Sequence, residues 1–192
     1  DYPVYRGAVS PLCRDLLTAS HFHGEDGLGD VDLPVPPDAV YRVETAWDAL
    51  YDAAVKYPHT LRLIALGPLT NVATAFSKYP DLPGLLHSML IMGGAAVGGN
   101  ITPAAEFNIW TDTEAAEILM PSGIKLSVIP LDATHGATVT AAQAEELRAL
   151  GTPQAEFVAN VILERIGGYA LRDPELAAQQ ASPLHDALAL CY

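Results

Sequence analysis

The feature that most constrains this chain is a short apolar run that leads directly into a glycine-rich loop. Residues 88–92 read Ser-Met-Leu-Ile-Met, which is typical of a buried strand in a parallel sheet. Four glycines between positions 93 and 99 then let the backbone turn tightly and approach a ligand closely. The loop continues with Asn100, Glu106 and Asn108. Two amides and one carboxylate can hydrogen-bond several hydroxyls at once, so the loop predicts a site for a polyol or a sugar.

The segments around this loop alternate between strand and helix patterns. Residues 61–66 predict a short buried strand, and residues 69–79 predict the helix that returns to the strand at 88–92. A connection of this kind is nearly always a right-handed crossover between parallel strands. Residues 125–130 predict a further strand. Because we find no internal repeat, residues 1–192 predict a single α/β domain with an open, mainly parallel, Rossmann-like sheet flanked by helices.

Apolar periodicity and capping residues predict further helices. Thr111 or Asp112 is the expected N-cap of one of them. Residues 182–190 predict a loop that enters an apolar helix, whereas residues 21–30 and 131–135 predict loops. The predicted helices cover residues 11–19, 43–57, 112–120, 140–150 and 153–165.

Several polar loops are predicted to meet at one edge of the sheet. Ligands of open α/β sheets bind outside the carboxyl ends of the strands, and the loops after positions 66, 92 and 130 all follow predicted strands. For Asp132 and His135 we expect a structural role, in which they support this rim by hydrogen bonds. The residues expected together at this edge of the sheet are Asn100, Glu106, Asn108, Asp132 and His135.

The residues alone leave simpler explanations open for each polar motif. The loop with Asn100, Glu106 and Asn108 can be a capped glycine loop whose polar side chains bond internally. Asp186, which follows His185, can cap the N-terminus of a helix. His23 lies in a stretch rich in glycine and acidic residues, where a histidine can equally be solvated or close to a ligand.

Charge and cysteine content narrow the partners that we expect. The 23 Asp and Glu residues against 10 Lys and Arg give a net charge of −13, which argues against a nucleic acid polymer and an anionic membrane surface. Cys13 and Cys191 form no CxxC pair, so we expect neither a zinc site nor a disulfide framework, and a reducing, cytoplasmic location fits. No run of about 18 apolar residues occurs, so we expect no membrane span.

Five motifs occur along the chain in a fixed order. They are Gly-Pro-Leu-Thr-Asn at 67–71, Met-Gly-Gly at 92–94 with Asn-Ile-Thr-Pro-Ala-Ala-Glu-Phe-Asn at 100–108, Asp-Thr-Glu-Ala-Ala at 112–116, Leu-Asp-Ala-Thr-His at 131–135 and Pro-Leu-His-Asp at 183–186. Together they resemble the inosine-uridine preferring nucleoside hydrolase family, and the similarity extends from His23-Gly24 to His185-Asp186. The resemblance implies an enzyme of purine or pyrimidine salvage that hydrolyses the N-glycosidic bond of a ribonucleoside to ribose and free base.

The resemblance also implies roles for individual residues. His185 corresponds to a histidine that protonates the leaving base, which suits an imidazole that titrates near neutral pH. Asp186 and the main-chain carbonyl of Leu66 correspond to ligands of Ca²⁺, an ion that prefers oxygen ligands and would hold the attacking water. The residues implied to bind the substrate, with His23 near the nucleobase and Met92 beside the sugar, are His23, Met92, Asn100, Glu106 and Asn108.

One departure from the family pattern leaves two interpretations. The family has an N-terminal cluster of the form Asp-x-Asp-x-Gly-x-Asp-Asp, which supplies further Ca²⁺ ligands and the general base, and residues 1–192 contain nothing of that form. We therefore expect a fragment of a hydrolase that lacks this motif and the C-terminal end of the family fold. The alternative is a truncated, catalytically inactive homologue that binds a nucleoside or a partner protein. The resemblance further implies a homodimer or a homotetramer.

Overall fold

The structure, a computed structural model, describes residues 2–30, 41–171 and 173–192. Strands and helices alternate from β3 to β5, as the sequence predicts. The strands are β1 (Val4–Arg6), β2 (Tyr41–Thr45), β3 (Arg62–Ala65), β4 (Ser88–Met92), β5 (Leu126–Ile129), β6 (Thr138–Thr140) and β7 (Ala181–Pro183). The helices are α1 (Ser20–His23), α2 (Ala46–Lys56), α3 (Thr70–Lys78), α4 (Leu82–Leu85), α5 (Phe107–Thr111), α6 (Thr113–Leu119), α7 (Leu131–Thr134), α8 (Ala141–Arg148), α9 (Pro153–Ala170), α10 (Pro174–Gln179) and α11 (His185–Cys191).

The largest described sheet contains β3, β4 and β5 in that order, and both neighbouring pairs are parallel. On the middle strand, Ile91 lies opposite Ala65 of β3, and Met92 lies opposite Ile129 of β5. β1 pairs with β2 in parallel, and β6 pairs with β7 antiparallel. The predicted α/β fold with open, mainly parallel sheets is therefore confirmed. The carboxyl ends of β3, β4 and β5 lie at one edge of their sheet.

The described residues form two compact units, which we treat separately. The prediction of a single domain over residues 1–192 stays a prediction. The first unit comprises residues 2–17, 41–133 and 185–192, and the second comprises residues 18–30, 134–171 and 173–184.

In the first unit, the two faces of β4 pack against different helices, because successive side chains of a strand point to opposite faces. Met89 and Ile91 are buried in one cluster with residues of α2, α3 and α6, among them Leu119. Met92 belongs to a second cluster that includes Ala189 of α11. Burial of these apolar side chains stabilises the unit by roughly 25 cal/mol for each Å² removed from water. It also places α11 beside the carboxyl-terminal half of β4.

In the second unit, α8 and α9 pack on each other around a core of Val139, Ala144, Ala159 and Ile162. Thr140 begins α8 with a capping box, in which its hydroxyl accepts from the Gln143 amide and the Gln143 side chain accepts from the Thr140 amide. α9 extends to Ala170, beyond the predicted end at residue 165. Within the described parts of the chain, no helix is both long and apolar enough to cross a membrane.

Residues 11–19 do not form the predicted helix, and bends and irregular backbone take its place. The Leu12 amide donates to the Asp112 carboxylate at 3.0 Å, and the Arg14 side chain pairs with Glu114, so long-range partners replace helical hydrogen bonds. The helix predicted from residue 43 begins only at Ala46, since residues 41–45 form β2. Short helices, α1 and α7, occur in the two stretches predicted to be loops.

Candidate active site

Glu106 organises the loop that follows β4. It is the N-cap of α5, only 3% exposed, and its carboxylate accepts from the amides of Asn108 at 2.9 Å and Ile109 at 3.2 Å. The same carboxylate accepts from the Gly94 amide at 3.0 Å. A carboxylate at a helix N-terminus satisfies backbone donors that have no helical partner. Glu106 therefore fixes the first turn of α5 against the glycine turn at the end of β4.

Asn108 extends this arrangement to the strand itself. Its side-chain Nδ2 donates to the Met92 carbonyl oxygen at 3.1 Å and lies 3.4 Å from the Met92 sulfur. Three residues predicted to bind the substrate, Met92, Glu106 and Asn108, are thus held in one hydrogen-bonded group at the carboxyl end of β4. Their contact with a ribose stays a prediction.

Asn100 lies on the outer part of the same loop and is exposed. Its Oδ1 accepts from the Phe107 amide at 2.8 Å, and its own amide donates to the Ala105 carbonyl at 3.0 Å. The loop is thus bonded internally, as the simpler explanation of its polar residues proposed. An exposed amide retains further donors and acceptors, so internal bonding and ligand binding are compatible at Asn100.

The glycine turn requires its small residues at two positions. Gly94 has φ of +81°, a left-handed conformation that residues with a side chain rarely adopt. A Cβ at Gly93 would lie 3.2 Å from the Glu106 carboxylate and from the Ile109 side chain. Gly94 therefore suits the turn by its conformation, and Gly93 lets the backbone lie close to α5.

Asp132, on α7, supports the other side of the turn. Its two carboxylate oxygens accept from the amides of Ala96 at 2.7 Å and Val97 at 3.0 Å, and the neighbouring Leu131 amide donates to the Gly94 carbonyl at 2.9 Å. Asp132 thus supports the rim by hydrogen bonds, as we expected. His135 belongs to the second unit, and its predicted place on the same rim stays a prediction.

The residues predicted to act on the leaving base and the metal lie after one strand and at the start of one helix. His185 and Asp186 form the first turn of α11, and Ala189, one turn further, is buried in the cluster that contains Met92. Leu66 follows β3 and packs against the same cluster. The first unit therefore holds Leu66 and α11 around the apolar end of β4, although the roles of His185, Asp186 and Leu66 stay predictions.

His23 ends α1 in the second unit. Arg165 Nη1 of α9 lies 3.4 Å from His23 Nδ1. An arginine can only donate, so a hydrogen bond between these two atoms would have Nδ1 as its acceptor. The prediction that His23 lies near a nucleobase stays a prediction.

The donors that could bind Ca²⁺ fit the ion in type but not in number. A carboxylate at Asp186 and a backbone carbonyl at Leu66 are the hard oxygen ligands that Ca²⁺ prefers, yet the ion takes about six to eight of them. No group of three His, Cys, Asp or Glu side chains in the described parts of the chain could hold a metal. We therefore derive no chemical step through the ion from these residues.

Sequence reasoning missed one buried contact close to these loops. Asp112 was predicted as a helix cap, and it does cap α6 by accepting from the Ala115 amide at 3.0 Å. Its other oxygen accepts from the Thr70 hydroxyl at the start of α3, 42 residues away in sequence. A cap signal cannot reveal such a partner, because the motifs of Thr70 and Asp112 are far apart in the chain.

Together, the fold and this group of residues define an α/β protein with an amide- and carboxylate-rich loop at the carboxyl end of its middle strand, which is where such folds bind small polar ligands. Residues 1–192 match the model of the family described as inosine-uridine preferring nucleoside hydrolase. The chain belongs to that family.

Named proteins are similar to this chain in sequence or in structure. The chain is 43% identical over 162 residues to the pyrimidine-specific ribonucleoside hydrolase RihA of Salmonella arizonae, covering 84% of this chain and 52% of that protein. It is 40% identical over 195 residues to RihA of a Shewanella species, and the match covers 100% of this chain and 59% of that protein. The structure of a purine-preferring ribonucleoside hydrolase from Gardnerella vaginalis superposes on this chain with a TM-score of 0.92 at 31% identity. The match covers 98% of this chain and 60% of that protein. The chain thus spans between half and two thirds of the length of these relatives.

Proposed function

We propose that this protein hydrolyses the N-glycosidic bond of a ribonucleoside to ribose and free base, with a water activated by Ca²⁺. The observation that carries the proposal is the preorganised group of Met92, Glu106 and Asn108 at the carboxyl end of β4. Family membership supports the reaction class. One named relative is a pyrimidine-specific ribonucleoside hydrolase and another is a purine-preferring one.

The loop after β4 would bind the sugar. Asn100 and Asn108 would hydrogen-bond ribose hydroxyls, and Met92 would pack beside the ring. Cleavage of an N-glycosidic bond builds positive charge on the ribose, so the Glu106 carboxylate would stabilise the transition state more than the ground state. Because three backbone amides hold Glu106 in place, its charge needs no reorganisation when the reaction occurs.

The start of α11 would supply the remaining groups. His185 would protonate the leaving base as a general acid, and His23 would contact the base. Asp186 and the Leu66 carbonyl would contribute oxygen ligands to the ion. With ligands in addition to these two, a bound Ca²⁺ would supply the acidity that makes a coordinated water a nucleophile.

The biological context is part of the same proposal. A ribonucleoside hydrolase of this type would act in purine or pyrimidine salvage in the cytoplasm, as a homodimer or homotetramer. Its net charge of −13 is compatible with an uncharged nucleoside substrate and disfavours a nucleic acid polymer.

The test is release of reducing sugar from inosine and uridine by the full-length protein, with CaCl₂ or with a chelator. His185→Ala is expected to lower kcat about 10²-fold to 10⁴-fold with little change in KM, because it removes proton transfer and leaves sugar binding intact. Asp186→Asn is expected to weaken Ca²⁺ binding in calorimetry and to lower activity at limiting CaCl₂.

A matched control is Asp52→Asn, which removes an exposed carboxylate from α2 and should leave activity unchanged. Calorimetry with inosine or uridine separates the proposal from its alternative. Binding of a nucleoside without hydrolysis at any CaCl₂ concentration would identify a catalytically inactive homologue. Absence of both binding and hydrolysis would reject the proposal.

A further inference from the structure

We propose that Asp112 is a positioning residue that holds the ribose loop and the Leu66 loop in register through its hydrogen bond with Thr70, an inference that rests on the proposed function. The Asp112 side chain is fully buried, with 0% exposure. One oxygen accepts from the Ala115 amide at 3.0 Å. The other accepts from the Thr70 hydroxyl at 2.5 Å and from the Leu12 amide at 3.0 Å.

Helix capping alone does not account for a carboxylate at this position. A cap needs one acceptor, which a serine, threonine or asparagine also provides, and removal of a carboxylate from water is costly. Here the second oxygen receives two donors, from residues 42 and 100 positions away in sequence. Asp112 therefore joins three separate segments. A residue that only capped α6 could do so from an exposed position.

Two of the segments joined by Asp112 carry the proposed site. Asp112 directly follows α5 and lies one helical turn after Asn108, whose amide binds the Met92 carbonyl. Thr70 begins α3 four residues after Leu66. The hydrogen bond between Thr70 and Asp112 thus connects the turn behind Asn108 with the turn behind Leu66.

A fixed distance between these two turns matters for the proposed reaction. Asn108 would hold a ribose hydroxyl, and Leu66 packs against the apolar cluster that contains Met92, the residue proposed to lie beside the same sugar. Displacement of a positioning group by about 1 Å can lower a rate about 10²-fold. Neither Thr70 nor Asp112 needs to touch the substrate to have this effect, since both act through the backbone of the loops they hold.

Two substitutions at Thr70 separate positioning from packing. Thr70→Val keeps the shape of the side chain and removes the hydroxyl, whereas Thr70→Ser keeps the hydroxyl and removes a methyl group. In the full-length protein with CaCl₂, we expect Thr70→Val to lower kcat/KM for inosine or uridine at least about tenfold and Thr70→Ser to stay within about twofold of wild type. A residue that only fills space would give the opposite order, because serine leaves a cavity and valine does not.

Asp112→Asn supplies a second, independent measurement. Asparagine can still cap α6 through its carbonyl oxygen, but the NH2 group that replaces the second carboxylate oxygen can accept from neither Thr70 nor Leu12. If Asp112 and Thr70 act through their shared hydrogen bond, the double variant Thr70→Val with Asp112→Asn should be no more than about twofold worse in kcat/KM than Asp112→Asn alone. If the fold-losses of kcat/KM from Thr70→Val and Asp112→Asn multiply in the double variant, the inference is contradicted.

Thr45→Val is the matched control, because Thr45 caps α2 in the same unit through its hydroxyl, away from the proposed site. It should lower the thermal midpoint and leave kcat/KM unchanged. An active wild type in which Thr70→Val and Thr70→Ser have equal kcat/KM would overturn the positioning role while the proposed function stands. A wild type that neither binds nor hydrolyses inosine or uridine would overturn both.

Discussion

At the scale of single residues, Asp48 links α2 to α3 through a carboxylate with a low pKa. Its Oδ1 accepts from Lys78 Nζ at 2.6 Å and from the Tyr79 hydroxyl at 2.7 Å, and these bonds lower the pKa of Asp48 from 3.8 to about 2. A carboxyl with a lower pKa in the folded state stabilises the fold above its unfolded pKa, and this contribution is lost as the pH falls through the folded pKa. We predict that the stability advantage of wild type over Asp48→Asn is full above about pH 4 and disappears towards about pH 2.

Urea denaturation of both proteins across that range measures this advantage, and NMR titration of the Asp48 carboxyl measures its pKa directly. Lys78→Met is the informative control because it removes the largest cause of the shift while Tyr79 still donates. It should move the pKa of Asp48 back towards 3.8. A stability advantage that is independent of pH between about 4 and 2 would show that the contact contributes only by packing.

The sequence predicted which residues belong to the candidate site better than it predicted their hydrogen-bond partners. Met92, Glu106 and Asn108 were expected in one site, and the structure joins them by hydrogen bonds. The sequence could not show that the Glu106 carboxylate is occupied by three backbone amides, because main-chain donors carry no side-chain signature. The same reason explains Asp112, where the cap was predicted and the bond to Thr70 was not.

At the scale of elements, the loop between β4 and α5 depends on a glycine at position 99. A Cβ there would lie far inside van der Waals contact with the backbone of Thr102 and Ala105, which cannot move aside as a side chain can. We predict that Gly99→Ala lowers the free energy of unfolding by about 1–3 kcal/mol and weakens nucleoside binding, because the loop must shift. Urea denaturation and calorimetry with inosine measure the two effects.

Gly98 offers a control within the same loop. A Cβ at Gly98 would meet no atom within 4 Å, so Gly98→Ala should change stability by no more than about 0.5 kcal/mol and leave nucleoside binding unchanged. Equal effects of the two substitutions would show that general loop flexibility, rather than the close approach at Gly99, determines the behaviour of this loop.

Elements with strong local signals were predicted closely, and elements that depend on distant partners were not. β4 occupies residues 88–92 as predicted, because a short apolar run bounded by glycine has few other solutions. Residues 43–45 of β2 were predicted to be helical, because the partner strand β1 lies far away in sequence. α9 continues through Gly167 and Gly168 to Ala170, although glycine has a low helix propensity, so the local signal placed the end of this helix too early.

At the scale of the whole molecule, the excess of negative charge opposes folding. The protein carries 23 acidic against 10 basic residues, so repulsion between like charges is spread over its surface. Ion pairs such as Arg14 with Glu114 and Arg148 with Glu145 are partly exposed, with side chains between 36% and 54% accessible. Exposed pairs of this kind contribute little to stability, so they offset only part of the repulsion.

Screening should therefore stabilise the protein. We predict that raising NaCl from about 0.01 M to about 0.15 M, which shortens the Debye length from about 30 Å to about 8 Å, raises the thermal midpoint. A chelator keeps divalent ions from contributing.

Glu146→Lys, at an exposed position of α8, makes the net charge two units less negative. It should raise the thermal midpoint at low salt and reduce the salt dependence of that midpoint. A midpoint that falls as NaCl rises would show instead that attractive pairs outweigh the repulsion, because salt would then be screening a net attraction.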